Sequence, residues 1–264
     1  MHLSLQNKKA IVGGSTQGIG LAVAQILAEM GAEITLIARN EEKLKEIIEI
    51  LPVSYNQKHN FIVADYQFPD ELEKKTKEFI QKNQIENWDI LVNNTGGPAG
   101  GALLDASTNT LQNAHTQHLI CNQILAQIFV PLMIKSGKGR IINIISTSVK
   151  EPLENLGVSN STRWAVAAWA KTLATELASL NITVNNILPG ATKTARIDVI
   201  LNNKAKKENT SVEEAKIEME KAIPMQRFAT AKEIANGVAF LASDLADYIT
   251  GISLAIDGGR TKSM

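Results

Sequence analysis

Cysteine is almost missing from this chain. Cys121 stands alone among 264 residues, which excludes an internal disulfide framework and a thiolate-cluster metal site. An excess of either charge is missing too, since 27 Lys and Arg offset 27 Asp and Glu. With no basic stripe to follow a phosphate backbone, no nucleic-acid partner is expected. No run of apolar residues reaches the roughly 18–20 that a membrane span needs. The N-terminal MHLSLQNKKA has no long apolar stretch ahead of its lysines, so no signal peptide is expected. These absences predict a soluble, cytoplasmic protein with no membrane partner. Tyrosine is scarce as well: Tyr55, Tyr66 and Tyr248 are the only three. His115 and His118 lie one turn apart on a helical face. No carboxylate or thiol joins them at ligand spacing, so no metal site is expected.

What is present is an alternation. Apolar strand-like runs occur at 8–14, 34–39, 60–66, 88–97, 140–146, 182–190 and 253–259. Helical patterns separate them at 19–30, 40–50, 70–82, 107–135, 160–179 and 230–242. Strand–helix alternation predicts an α/β fold with a doubly wound, mostly parallel, seven-stranded, Rossmann-like sheet and helices on both faces. Several strands are apolar without clean alternation, as expected where both faces are covered. Residues 1–264 read as one domain. The charged stretch 193–222 is longer than an ordinary connection. It is expected to hold one or two short helices, either as a lid over a ligand or as a solvated insertion.

The first strand runs into GGSTQGIG, residues 13–20. Gly14, Gly18 and Gly20 let the backbone turn tightly and let a ligand approach. The helix that follows offers free N–H groups and a partial positive charge to a pyrophosphate. With Ile19 in the same turn, this predicts a dinucleotide site. Ser15 and Thr16 are candidates for hydroxyl contacts there. The second strand ends in Arg39 where an acidic residue would take the ribose diol. Arg39 suits a 2′-phosphate, which favours NADP over NAD, the alternative being an ordinary surface charge. Asp65 is expected to accept from the adenine amine. Asn93 is expected to brace the neighbouring loop or touch the adenosine. Both also fit simple turn caps. Thr95 to Gly101, rich in glycine around Pro98, is either a close-approach loop at the nicotinamide end or a flexible connection.

The chain resembles the classical short-chain dehydrogenases/reductases, and within them the 3-oxoacyl-carrier-protein reductases. The resemblance rests on GGSTQGIG, Asp65, NNTG at 93–96, RIINIIS at 140–146, AKTLATELA at 170–178, ITVNNILPG with Thr194, and DGG at 257–259. It covers nearly the whole chain. It implies hydride transfer between a nicotinamide and a carbonyl or alcohol carbon. It also implies that Pro189, Gly190 and Thr194 hold the nicotinamide end, and that the protein forms a homotetramer, with a homodimer as the alternative. Trp164, Val166 and Trp169 are candidates for the apolar packing of such an assembly, or for internal core.

In that family a tyrosine handles the proton, and a lysine four residues later binds the nicotinamide ribose. A serine thirteen residues before the tyrosine holds the substrate oxygen, and an asparagine on the preceding helix supports a water relay. Counted without gaps, these positions fall on Ser159, Arg163, Ser146 and His118. Only the serine matches. Ser159 is short and weakly acidic. Arg163 stays charged, but it can bind ribose hydroxyls and favour a developing alkoxide. His118 is the one candidate acid with a reference pKa near neutrality. The leading expectation is an NADP-dependent oxidoreductase that reduces a small-molecule or acyl-thioester carbonyl with a non-standard proton donor. The alternative is an NAD(P)-binding protein without redox turnover.

Overall fold

The computed structural model describes residues 3–263. Seven parallel strands form one sheet in the order β3-β2-β1-β4-β5-β6-β7. They are β1 Lys9–Gly13, β2 Glu33–Ala38, β3 Asn60–Val63, β4 Ile90–Asn93, β5 Gly139–Ile144, β6 Ile182–Pro189 and β7 Ser253–Ile256. The order reverses between β1 and β4, so the strand ends diverge there and open a crevice at the carboxyl edge.

Adjacent strand residues feed different cores, which is why the strands read as continuous apolar runs. Ala10 and Val12 of β1 face one side with α1 (Gly18–Glu29), α2 (Glu41–Ile50) and α9 (Ala231–Ala242). Ile11 faces the other, against α3 (Pro69–Lys82), α5 (Cys121–Ser136) and α6 (Gly157–Leu177). Trp88 and Phe129 anchor that second layer with ring centroids 5.0 Å apart. Both layers must be covered because a parallel sheet leaves neither face to water.

Local chemistry sets the helix starts. The Asn40 side chain accepts from Lys43 N–H at 3.0 Å and caps α2, Pro69 opens α3, and Thr230 and Glu233 form a reciprocal capping box on α9. The helix expected over 107–135 is α4 (Thr108–His115), a π-helical turn (Thr116–Ile120) and α5 in one continuous run. As a whole, this 29-residue run is long and apolar enough to cross a membrane by length and composition, although no unbroken apolar stretch within it is that long. Here Leu125, Phe129 and Met133 are buried against the sheet, so it serves as a core helix.

The stretch 193–222 folds as two helices, α7 (Ala195–Glu208) and α8 (Val212–Lys221). They enclose a small core of their own, built on Ile197, Leu201, Ala205, Ala215, Ile223 and Phe228. A parallel bridge between Thr192 and Ala229 ties the base of this hairpin.

Candidate active site

The site is assembled at the carboxyl ends of β1, β4, β5 and β6. Gly14 and Gly18 after β1 take left-handed backbone, at φ +54° and +55°, which favours glycine. A Cβ on Gly20 would lie 2.2 Å from the Gly14 carbonyl oxygen, so only glycine lets α1 begin this close to the turn. Gln17 precedes α1 without a side-chain cap, so no side chain at the cap position takes up the first N–H groups of the helix. A Cβ on Gly18 would stand 3.2 Å from Thr194 Cγ2, so this glycine keeps the gap between α1 and the β6 exit open. These features fit a pyrophosphate lying across the first turn of α1.

The other predicted cofactor residues take distinct places. Arg39 is exposed at the lip, 3.9 Å from Asp65, so the pair marks one end of the crevice. Thr16 is half-buried beside the turn, and Ile19 packs partly into the α1 core. Ser15 is fully buried and donates to the Ile37 carbonyl at 3.3 Å, which turns its hydroxyl inward. Asn93 is also turned inward. It is buried and donates to Asn143, which donates to Asn186, which donates to Ser253, a side-chain ladder across β4, β5, β6 and β7. The loop brace expected of Asn93 comes instead from Asn94, whose amide donates to the Gly13 carbonyl at 3.0 Å. Consecutive strand residues face opposite ways, so a shift of one residue exchanges the two roles.

Beyond β6, Gly190 N–H donates to Ile256 O at 2.9 Å, which seats Pro189-Gly190 against the DGG turn. Thr194 precedes α7 and donates to Thr192 O at 3.3 Å. The loop after β4 is pinned rather than loose: Gly101 N–H donates to Asn155 O at 2.7 Å, and Gly157 N–H to Gly101 O at 3.1 Å.

The reacting end gathers the remaining candidates. Ser146 caps a short 3-10 turn, its Oγ accepting from Ser148 N–H at 3.1 Å. Ser159 lies half-buried in the first turn of α6. Asn160 beside it is committed to the loop, donating to Leu153 O at 2.8 Å. Arg163 is buried and donates to Ile144 O at 2.9 Å. Its Nε has no partner among the described residues. Burial, and then the charge of Arg196, push the Arg163 guanidinium down to about 10.

His118 sits in the π-helical turn, a device that rotates one residue out of the helical register. Burial, reinforced by the Arg163 charge, holds its pKa well below the ordinary 6.5, while a hydrogen bond to the Gly96 backbone opposes the shift. Its Nε2 is buried and unpartnered. His118 is therefore neutral near pH 7, which removes the reference-pKa argument for it as an acid. His115 is half-buried, with Nδ1 3.1 Å from Leu111 O and 3.5 Å from the Thr162 hydroxyl of α6. Val166 is fully buried. Trp169 is partly buried and donates to Gln123 at 2.7 Å, whereas Trp164 is half-exposed and donates to Ser148 O. No cluster of metal-ligating side chains occurs among the described residues.

Arg196 is the functional candidate that the sequence reading missed. It lies in the first turn of α7 and donates to Pro98 O at 2.6 Å, tying the helical hairpin to the glycine-rich loop. Its position two residues past Thr194 was the available signal.

A family model described as Enoyl-(Acyl carrier protein) reductase matches residues 14–261. The 3-oxoacyl-(acyl-carrier-protein) reductase FabG of Aquifex aeolicus (strain VF5) is 32% identical over 98% of this chain and 99% of its own. The NADPH-dependent reductase BacG of Bacillus subtilis (strain 168) is 31% identical over 98% of this chain and 100% of its own. The crystal structure of L-sorbose reductase from Gluconobacter frateurii, complexed with NADPH and L-sorbose, superposes with a TM-score of 0.92 at 30% identity over 100% of both chains. With the glycine turn, the crevice at the sheet reversal and matches that span almost its full length, the chain belongs to the classical short-chain dehydrogenase/reductase family of nicotinamide-dependent oxidoreductases.

Proposed function

We propose that the protein is an NADPH-dependent reductase of a carbonyl compound in which the family's tyrosine and lysine are replaced by Ser159 and Arg163. The observation that carries this reading is the preserved crevice: Gly14, Gly18 and Gly20 below, Thr194 above, and Ser146 at its far end. Arg39 at the lip supports a 2′-phosphate and hence NADPH. The NADPH named with the sorbose reductase and BacG points the same way.

NADPH held by Gly14, Gly18, Gly20 and Thr194 in this crevice would supply the hydride. Ser146 is oriented by the Ser148 N–H that its Oγ accepts, which leaves its own proton free for a substrate oxygen. Arg163, desolvated and fixed through Ile144 O, places a positive charge where an alkoxide develops. With His118 neutral and no phenol in place, the oxygen takes its proton from water, releasing hydroxide to solvent. His118 acts as a hydrogen-bonding wall, held by Gly96. The helical hairpin 193–222 covers the crevice as a lid, and the assembly is a homotetramer.

A steady-state screen of NADPH oxidation against aldehydes, ketones, sugars and 3-oxoacyl thioesters tests this. Turnover with at least one class is expected; none with any class overturns it. One observation favours a second reading, an NADPH-binding protein without turnover: burial holds the His118 imidazole neutral, and Arg163 stays a cation at pH 7. Tight NADPH binding with no turnover, and reductase activity appearing in the Ser159→Tyr, Arg163→Lys double variant, would establish that reading.

A further inference from the structure

Arg163 and Arg196 come from elements far apart in the chain, yet both approach one point. From the position a Cβ would occupy on Gly97, Nη2 of Arg163 and Nη2 of Arg196 are each 3.8 Å away. Gly97 is exposed, so a ligand reaches the same point from solvent. Neither guanidinium pairs with a carboxylate among the described residues. Arg163 is buried and holds only a main-chain carbonyl on its Nη1 side. Arg196 is half-buried and holds only the Pro98 carbonyl.

Two like charges brought to one partly desolvated corner repel each other, and each has lost part of its hydration. That arrangement is unfavourable in the free protein and becomes favourable when an anion enters between them. A carboxylate suits the forked N–H geometry of arginine. The absence of a side chain at residue 97 leaves the space open, and the atoms nearest to it belong to the two guanidinium groups.

We infer that the substrate is an oxo acid whose carboxylate is held over Gly97 between Arg163 and Arg196. This inference rests on the reductase reading, since it names the substrate class of that same site. Arg196 belongs to the first turn of α7, so the carboxylate also bridges the 193–222 hairpin to the body of the protein. Arg163 fixes the acid from α6 and Arg196 closes on it from the hairpin. A carbonyl near the carboxylate then lies beside Ser146 and the Arg163 charge. Neutral ketones and esters lack the group that fills this corner.

The test is calorimetric titration of the wild-type protein saturated with NADPH, using pyruvate, acetoacetate and levulinate, each against its methyl ester. These acids place the carboxylate at increasing distance from the carbonyl. At least one acid is expected to bind tenfold or more tightly than its ester. Arg196→Gln should abolish that preference and Arg196→Lys should retain part of it, with NADPH affinity changed less than twofold in both. Arg196 is partly exposed on the hairpin, so these variants are expected to fold; far-UV circular dichroism and an unchanged melting temperature verify it. If no acid is preferred over its ester, or if the preference survives Arg196→Gln, the inference is overturned. If Arg196→Gln weakens NADPH as much as it weakens the acid, the arginines serve a cofactor phosphate and the inference is also overturned. Failure of NADPH itself to bind would instead overturn the reductase reading, so the two failures are distinct.

Discussion

At the scale of the residue, burial decides more than identity. His118 carries an ordinary imidazole, but burial and the neighbouring Arg163 charge keep it neutral against the opposing hydrogen bond to the Gly96 backbone. The consequence for stability has a definite sign. The folded pKa lies below the unfolded 6.5, so under that pH the unfolded chain binds a proton that the folded chain refuses. The stability associated with neutral His118 is present above pH 6.5 and is lost as pH falls toward the depressed folded value. His118→Asn should therefore lose less stability between pH 7.5 and pH 5.5, conditions chosen to bracket roughly one pH unit either side of the unfolded value. Urea midpoints at both pH values check this, and equal losses in variant and wild type would contradict it. Arg39 makes a different kind of prediction because it is exposed at the lip beside Asp65. Arg39→Ala should weaken NADPH by about tenfold or more, the scale of one charge-assisted hydrogen bond, and leave NADH unchanged. Fluorescence titration with both cofactors measures it.

At the scale of the element, the glycine turn and the asparagine ladder carry the most consequence. Gly20→Ala drives a methyl into the Gly14 carbonyl at 2.2 Å, so either α1 or the turn must move. A cost of about 1–3 kcal/mol in stability is expected from such overpacking, together with at least tenfold weaker NADPH binding. Denaturant melts and cofactor titration read the two effects separately. Asn143 lies fully buried between Asn93 and Asn186. Asn143→Ala leaves the amide donor of one and the acceptor of the other without a partner, at about 1–3 kcal/mol for each orphaned group. A loss no larger than that of an exposed substitution would show that the ladder is not a stabilising unit. These two features differ in how far the sequence reveals them. The strand–turn–helix around Gly14 to Gly20 is legible because glycine spacing and apolar periodicity are local. The inward turn of Asn93 and Ser15 is not, because it depends on strand parity to the residue and on partners 50 and 22 positions away. The π-helical turn at 116–120 is hidden for a related reason: one extra residue in a turn leaves the apolar pattern almost unchanged.

At the scale of the whole molecule, the alternation of strands and helices specifies the sheet, and the sheet reversal specifies where a ligand enters. Arg196 was invisible to that reasoning because it comes beside Arg163 only through the fold, with the hairpin tied to the loop through Pro98 O. Assembly follows from surface rather than core. Trp164 and Ile120 remain about half-exposed on the helices around the site, and sedimentation velocity should find a tetramer, with a monomer contradicting that expectation. The central physical claim is that the crevice above Gly14, Gly18 and Gly20 accepts a phosphorylated dinucleotide. Isothermal titration calorimetry of the wild-type protein with NADPH and NADH tests it most directly. Saturable binding of NADPH, tighter than that of NADH, is the predicted result; no measurable affinity for either would contradict it.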